Sequence, residues 1–370
     1  MKAAVMAQQF DIEGWLVTVE PLGCGNVNDT YLAIFRTVFS EVKVVLQKIN
    51  KRVFTEPVLL MQNMHLVTQH AHKKLIAERE KVERIWQLPK IIPTKEGLDY
   101  AIDDDGEYWR AITRIASAHA YEEVQSVDHA REIGSVLGNF HHLLSDLSCD
   151  LLYDTLPGFH ITPSYFPKLD AALATPAGQA RLNSSQAAKT VMSFIDQRRE
   201  WSSILEDAKA RGELSMQPIH GDPKTANVMI DNITSKGTAI IDLDTVKPGL
   251  LHYDIGDCLR SCCNPAGEEC KDFTKILFDL DLCEALLKGY KEHSQNALTD
   301  IDKEYLYDCV RLITYELALR FFADYLAGDV YFKIRHDGQN LHRARVQTQL
   351  CRSIEARESQ IRRILKKIKL

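Results

Sequence analysis

Apolar and polar positions alternate along the first part of the chain with the period of two that a half-buried β-strand requires. Three such runs precede residue 51, and a turn rich in glycine and asparagine separates the first two; the runs are LVTVE, TYLAIF and KVVLQKIN. From Pro57 to about Leu88 the apolar residues recur at helical intervals, which predicts a helix with one buried face. Its apolar positions are Leu60, Met64, Val67, Ala71, Leu75, Val82 and Ile85. A hairpin with its turn at 103–106 follows, so residues 1–117 are predicted to form three strands, one helix and two more strands.

After residue 117 the pattern becomes mostly helical. Apolar residues at helical spacing predict helices over 128–147, 183–210, 272–293, 301–326 and 338–369. Three short extended pieces, QPIH, NVMID and TAIIDLD, interrupt them between Met216 and Val246, and the joining loops are dense in Asp, Asn and His. Loops held by a rigid scaffold are common places for binding and catalytic residues. We therefore expect an α+β protein whose two parts, 1–117 and 118–370, meet near 113–118, with its site in these loops.

Composition and charge narrow the class of protein. The chain has 370 residues, of which 45% are hydrophobic and 26% charged, as in soluble globular proteins. Its 45 Lys and Arg against 51 Asp and Glu give a net charge of −6, which makes nucleic acid an unexpected partner. The amino terminus lacks the pattern of a signal peptide, and no uncharged apolar run approaches the length of a membrane span. We expect a cytoplasmic protein without a membrane partner.

The nine cysteines are irregularly spaced, which argues against a disulfide framework and favours reduced thiols. Four of them, Cys258, Cys262, Cys263 and Cys270, lie close together in the sequence. They contain no C-x-x-C pair, so a zinc site is disfavoured.

The sharpest signal in the chain is the sequence from His220 to Asn227, which has the form H-x-D-x-x-x-x-N. Asp242 follows at the end of an apolar strand. In phosphoryl transfer, a carboxylate orients the nucleophilic hydroxyl and accepts its proton, and hard oxygen ligands hold Mg²⁺. Asp222 suits the first role, and Asn227 and Asp242 suit the second, because the spacing matches that of a kinase catalytic loop. The alternative is that Asp222 and Asn227 are turn formers and Asp242 is an ordinary strand-end carboxylate. Their occurrence together, with apolar strands on both sides, favours a phosphoryl-transfer site.

A second candidate segment lies between the first two predicted strands, in GCGNVNDTY. Gly23, Gly25 and the adjacent Asn26 could let backbone N–H groups approach the phosphates of a nucleotide, although such a segment is also typical of a plain hairpin turn. The third strand contains Lys43 and Lys48, and strand alternation puts Lys48 on the face opposite Gln47. Which lysine meets a phosphate stays open, and a solvated lysine is the simpler interpretation for either.

The chain resembles the aminoglycoside phosphotransferase and choline kinase superfamily, and within it the N-acetylhexosamine 1-kinase branch. The likeness spans nearly the whole chain; beyond the H-x-D-x-x-x-x-N loop it rests on GCGNVNDTY, VLQKINKRVF, LPGFHITPSYF, IDLDTVKPGLLHYDIGD and LALRFFADYLAGDVYFKI. The resemblance implies a protein-kinase-like bilobal fold with an antiparallel sheet and one helix in its first lobe and a mainly helical second lobe. It implies ATP and Mg²⁺ as cofactors, and transfer of the γ-phosphate to the anomeric hydroxyl of an N-acetylhexosamine. Gln47 stands where the general kinase pattern has lysine, so Lys48 is kept as the nucleotide-binding candidate.

The resemblance also assigns roles outside the loop. It implies that His220 and the helix aspartates Asp254 and Asp257 support the catalytic loop, although charge at a helix N-terminus is an equal explanation of the aspartates. It places Arg320 and Tyr331 against the sugar, where the alternative is an ordinary structural role for both.

Two other functions compete with a sugar kinase. The same fold phosphorylates aminoglycosides, choline and other small alcohols, and the fold cannot choose among them. An acidic acceptor pocket would favour the polycationic aminoglycosides. The chain could also be a catalytically inactive kinase-like binding protein, which the presence of Asp222, Asn227 and Asp242 argues against.

Overall fold

The computed structural model describes residues 2–23, 27–78, 84–295 and 297–368. The elements of its first part are α1 (Lys2–Ala7), β1 (Trp15–Pro21), β2 (Asp29–Arg36), β3 (Glu41–Lys48), α2 (Pro57–Glu78), β4 (Ile91–Ile92), β5 (Ala101–Ile102) and β6 (Tyr108–Thr113). The strands form an antiparallel sheet in the order β1-β2-β3-β6-β4, with β5 paired to β6. The predicted strands, helix and hairpin are confirmed, and α1 and β4 are additional.

The helix α2 is shorter than predicted. It ends at Glu78, and the apolar position Val82 lies outside the described residues. Ile85 is 77% exposed, so it is not part of a buried helix face. The chain at 85–87 is bonded to a later strand instead, because the backbone N–H of Gln87 and the carbonyl oxygen of Ile85 both bond to Thr238. Pro89 also disfavours helical geometry in the residue before it.

The second part is mainly helical, which confirms the α+β class. Its helices are α3 (Val127–Leu144), α4 (Phe166–Leu173), α5 (Pro176–Asn183), α6 (Gln186–Asp196), α7 (Ile204–Ala210), α8 (Leu251–Cys262), α9 (Leu280–His293), α10 (Asp300–Glu304), α11 (Leu306–Ala327), α12 (Gln339–Ala356) and α13 (Glu358–Ile368). Its strands are β7 (Ala118–Ala120), β8 (Gln217–Ile219), β9 (Val228–Asp231), β10 (Gly237–Ile240) and β11 (Lys247–Gly249). They form two small antiparallel sheets, β10-β9-β7 and β11-β8.

Several predicted helices are divided or shifted. The helix predicted over 183–210 is α6 and α7 with a 3₁₀ turn between them, and that over 338–369 is α12 and α13. The helix predicted from residue 272 begins at Leu280, because the carboxylate of Asp279 accepts hydrogen bonds from the first-turn N–H groups of Asp281 and Leu282. Apolar periodicity continues across such breaks, so it could not locate them.

The helices of the second part pack around α11. Leu319, Phe322 and Tyr315 of α11 have no or almost no exposed surface. The helices α3 and α9 approach each other at glycines, since a Cβ on Gly134 would lie 1.9 Å from the carbonyl oxygen of Leu286. Among the described residues, none of the helices has the length and hydropathy that crossing a bilayer requires. Because β8 pairs with β11 and β9 pairs with β10, the loops 220–227 and 241–246 lie side by side.

Candidate active site

The loop that follows β8 is fixed by the buried side chain of His220. Its Nε2 donates to the carbonyl oxygen of Ile241 at 2.9 Å, and its Nδ1 accepts from the backbone N–H of Asp222 at 3.2 Å. These partners define a neutral ring protonated on Nε2. Burial lowers the pKa of His220, which agrees with that state. The histidine therefore connects the loop of Asp222 to the segment that leads into Asp242.

Asp254, in the first turn of α8, also stabilises the loop that contains Asp222. Its carboxylate accepts from the backbone N–H groups of His220 at 2.7 Å and Gly221 at 2.8 Å, and from Nε2 of His141 at 2.9 Å. Burial opposes the ionisation of Asp254, but its hydrogen bonds from His141 and from the backbone of His220 hold its pKa below the usual value. Gly221 has φ +85°, and a Cβ there would lie 2.6 Å from the carbonyl oxygen of Thr245, so this turn requires glycine.

Asp257 does not join this support. Its Oδ1 accepts from Nε of Arg260 at 2.9 Å, one turn further along α8. Among the described residues, no hydrogen bond connects Asp257 to the loop backbone. Burial raises its pKa, although Arg260 opposes the shift. The structure thus brings His220 and Asp254 to the loop and leaves Asp257 paired with a cation beside it.

Asp222 lies at the open side of the loop, with 29% of its side chain exposed. Nζ of Lys224 donates to Oδ2 at 2.5 Å, and Nδ2 of Asn227 donates to the same oxygen at 3.1 Å and to the backbone oxygen of Asp222 at 2.8 Å. Burial opposes its charge, but the ammonium of Lys224 outweighs it and holds the pKa of Asp222 below its usual value. An ionised, accessible carboxylate can accept a hydrogen bond and then a proton from a hydroxyl.

Asp242 is next to Asn227, because the backbone N–H of Ile241 donates to the carbonyl oxygen of Asn227 at 2.9 Å. It has φ +66°. Its desolvated surroundings and the neighbouring carboxylate of Asp244 raise the pKa of Asp242 to about 6. Since Nδ2 of Asn227 bonds to Asp222, its amide oxygen is the atom left for a metal. Two hard oxygens in a carboxylate-rich environment fit Mg²⁺, which takes one or two protein ligands beside phosphates.

Asp244 connects this segment to the sheet. Its carboxylate accepts from Nδ2 of Asn28, at the base of the turn between β1 and β2, and pairs with the guanidinium of Arg110 on β6. Oδ1 of Asn28 in turn accepts from the backbone N–H of Asn50 at 2.9 Å. In the turn itself Gly23 has φ +71°, and the predicted Gly25 and Asn26 lie outside the described residues.

Gln47 faces this network. Its Oε1 accepts two hydrogen bonds from Arg110, and its Nε2 donates to Oγ1 of Thr30 at 3.1 Å. Lys48 is on the other face, and its Nζ is 3.8 Å from Glu107. The structure therefore does not bring Lys48 to the other candidate residues, and the cation found on the Gln47 side is Arg110.

Arg320 lies on α11, with 15% of its side chain exposed. Its guanidinium is 5.0 Å from the ring centroid of Phe159 and 5.3 Å from that of Tyr165. Tyr331 is 54% exposed, and its backbone N–H donates to Asp324 at 2.8 Å. The structure thus brings Arg320 and Tyr331 together beside the ring of Phe332.

Residues 18–288 match the model of the phosphotransferase enzyme family, APH. The chain belongs to this family. It is a small-molecule phosphotransferase with a kinase-like α+β fold.

Solved structures of related fold cover nearly the full chain. An aminoglycoside phosphotransferase from Alicyclobacillus acidocaldarius aligns with a TM-score of 0.62 at 14% identity, over 98% of this chain and 96% of that one. Choline kinase from Cryptosporidium parvum aligns with a TM-score of 0.58 at 11% identity, over 95% and 93%. A spectinomycin phosphotransferase in complex with ADP and spectinomycin aligns with a TM-score of 0.52 at 13% identity, over 93% of each chain. At these identities the likeness concerns the fold alone.

Sequence reasoning missed four side chains of this phosphotransferase site. Lys224 and Asp244 stand inside the quoted motifs, so their positions gave a signal that was not used. His160 also stands inside a quoted segment, LPGFHITPSYF. Arg110 gave no signal, because a single charged residue in an apolar strand carries no periodicity. The importance of Arg110 and His160 becomes visible only through partners that are distant in the sequence.

Proposed function

We propose that this phosphotransferase moves the γ-phosphate of ATP, bound with Mg²⁺, to the anomeric hydroxyl of an N-acetylhexosamine such as N-acetylglucosamine or N-acetylgalactosamine. The observation that carries the proposal is the ionised carboxylate of Asp222, which is partly exposed and held in place by Lys224 and Asn227; the guanidinium of Arg320 is the proposed contact to the acceptor. The choice of an N-acetylated sugar rests on the resemblance in IDLDTVKPG and FADYLAGDVYFKI.

Asp222 acts on the acceptor. Its carboxylate accepts a hydrogen bond from the acceptor hydroxyl and takes the proton as the oxygen bonds to phosphorus. Asn227 and Lys224 hold the carboxylate in one orientation, which reduces the entropy that must be lost before reaction.

The groups proposed for phosphate and metal binding are Lys224, Asp242 and Asn227. An ammonium has three donors, and Lys224 gives one to Asp222, so it can also donate to an oxygen of the γ-phosphate. Mg²⁺ on the carboxylate of Asp242 and the amide oxygen of Asn227 would neutralise charge on the phosphates. The segment with Gly23, Gly25 and Asn26 is proposed from its sequence to bind the nucleotide. Lys48 has no role in this arrangement.

The charges around the acceptor region favour a neutral acceptor over a cationic one. A polycationic aminoglycoside or the quaternary ammonium of choline is bound best by unpaired carboxylates or open aromatic faces. Here the carboxylates already contact cations, in the pairs Asp222 with Lys224, Asp257 with Arg260, and Glu316 with His160. The faces of Phe159 and Tyr165 are occupied by the guanidinium of Arg320, whose donors suit hydroxyl and carbonyl oxygens.

A coupled assay of ATP consumption over N-acetylhexosamines, unacetylated hexoses, choline and kanamycin tests the proposal. We expect the highest kcat/KM with an N-acetylhexosamine. Asp222→Asn is the control, and it should lower kcat by roughly 10²- to 10⁴-fold while the affinity for ADP is retained. Turnover of choline or kanamycin without turnover of any hexosamine would contradict the sugar acceptor and leave the phosphotransferase intact. No turnover of any acceptor would favour the inactive binding protein.

A further inference from the structure

His160 is a buried histidine that the proposed mechanism does not use. It lies in the segment between α3 and α4, with 3% of its side chain exposed and φ +64°. Its Nε2 is 2.7 Å from the carbonyl oxygen of Gly221, the residue before Asp222, and its Nδ1 is 3.1 Å from Oε1 of Glu316 on α11. A carbonyl and a carboxylate can only accept hydrogen bonds. Both ring nitrogens therefore carry hydrogen, and the ring is an imidazolium.

The carboxylate paired with His160 is that of Glu316. Its side chain is 1% exposed, and its Oε2 accepts from Oγ1 of Thr162 at 2.8 Å. One helical turn further along α11, Nη1 of Arg320 is 3.8 Å from Oε1. Burial opposes the charge of His160, but Glu316 outweighs it and raises the pKa of that ring. The other groups near the ring are Asp257 and Tyr253 of α8 and the ring of Phe159. The hydroxyl of Tyr165 accepts from the backbone N–H of His160 at 3.4 Å.

We propose that His160 is a positioning residue for phosphoryl transfer, which holds the loop of Asp222 at a fixed distance from the helix that contains Arg320 by bridging Gly221 and Glu316. The proposal rests on the proposed function only in taking Asp222 as the base and Arg320 as an acceptor contact. It does not depend on which small alcohol is the acceptor.

The arrangement has a kinetic consequence. His160 joins the loop to α11 through Gly221 and Glu316, and none of its hydrogen bonds among the described residues goes to Asn227 or Asp242, the residues proposed to hold Mg²⁺. A loop that shifts relative to α11 would misalign base and acceptor without removing a nucleotide contact, and a misplacement of about 1 Å can cost roughly 10²-fold in rate. Loss of the bridge should thus appear in kcat for transfer and leave the Kd for ADP unchanged.

A double-mutant cycle on kcat tests the bridge. His160→Gln keeps one amide donor but loses the charge and the second donor, and Glu316→Gln removes the carboxylate. We expect each to lower kcat by roughly 10- to 100-fold, and the double variant to lose no more than the larger single effect, because both remove one connection. His142→Gln is the control, since His142 also pairs with a glutamate, Glu78, at 3.0 Å in a partly buried contact elsewhere. It should leave kcat within about twofold.

A spectroscopic measurement gives a second readout. In the ¹⁵N NMR spectrum of histidine-labelled protein at pH 8, the signals absent from His160→Gln should be those of a ring protonated on both nitrogens. If His160→Gln fails to fold, Thr162→Val, which removes the hydrogen bond to Glu316, should lower kcat by about threefold with unchanged Kd for ADP. Multiplicative losses in the cycle, a singly protonated ring, or an equal kcat loss in His142→Gln would overturn the proposal. Failure of the hexosamine prediction alone would change only the acceptor used in the cycle, whereas an inactive chain would overturn both proposals.

Discussion

Arg110 donates two hydrogen bonds to Oε1 of Gln47, from Nε at 2.9 Å and from Nη2 at 2.7 Å. Its guanidinium also pairs with Asp244, which is 3% exposed. Kinases place a lysine on the third strand, where it meets the phosphates. In this chain the third strand has glutamine there, and the neighbouring strand supplies a cation whose charge is balanced by Asp244.

The first prediction follows from the burial of that pair. Arg110→Met removes the cation and leaves Asp244 as a buried unpaired charge, so the free energy of unfolding should fall by about 3–5 kcal/mol. Urea denaturation measures it. Arg131→Met is the matched control, because Arg131 pairs with Glu292 while both are exposed; its effect should stay within about 1 kcal/mol. Equal effects of the two variants would show that the Arg110 pair does not stabilise the fold.

The second prediction compares two lysines. Lys224→Ala should lower kcat by roughly 10²-fold, the usual effect of losing one donor to developing charge. Lys48→Ala should leave kcat and the KM for ATP within about twofold, since Lys48 pairs with Glu107 on the other face of the sheet. Steady-state kinetics at saturating acceptor measures both. A large rise in the KM for ATP in Lys48→Ala would instead restore Lys48 as a phosphate contact.

The third prediction concerns the metal. Asp242→Ala removes a hard oxygen ligand, so calorimetric titration should show that Mg²⁺ no longer strengthens ATP binding. Asp231→Ala is the control, because Asp231 ends β9 and its carboxylate accepts hydrogen bonds from Ile233 and Thr234 within a local turn. Unchanged Mg²⁺-dependent affinity in Asp242→Ala would remove Asp242 from the metal site.

The fourth prediction concerns the acceptor. Arg320→Ala should reduce kcat/KM for the sugar by an amount equivalent to about 1.5–3 kcal/mol, the range for hydrogen bonds to a charged group. The KM for ATP should change little. Arg199→Ala provides the comparison, since Arg199 also lies over an aromatic ring, that of Phe166, but pairs with Asp170 at the surface. Intact kinetics for every N-acetylhexosamine in Arg320→Ala would exclude Arg320 from the acceptor site.

The sequence was most informative where local pattern and chemistry coincide. Alternation predicted the strands around Gln47 and the placement of Lys48 on the face opposite Gln47, but not which face meets the site. The spacing from Asp222 to Asn227, together with the strand before Asp242, predicted three side chains that the fold brings together. Each of these signals lies within one short segment. The division of the chain into 1–117 and 118–370 stays a prediction.

What the sequence could not provide depends on contacts between distant segments. Residues 84–88 are not part of α2, because Ile85 and Gln87 bond to Thr238 of β10, which lies far along the chain. The pairs Arg110 with Asp244 and His160 with Glu316 join residues separated by more than 130 positions. Neither partner in such a pair has a local pattern that points to the other.

The most direct test of the account is the structure of the reaction product. The protein is incubated with ATP, Mg²⁺ and N-acetylglucosamine or N-acetylgalactosamine, with Asp222→Asn as the control, and the products are followed by ³¹P NMR. We predict a sugar 1-phosphate, recognised by coupling of its phosphorus to the anomeric proton, which forms with the native protein and is strongly reduced with Asp222→Asn. A phosphate on another sugar oxygen, or no sugar phosphate while choline or kanamycin is phosphorylated, would contradict the account.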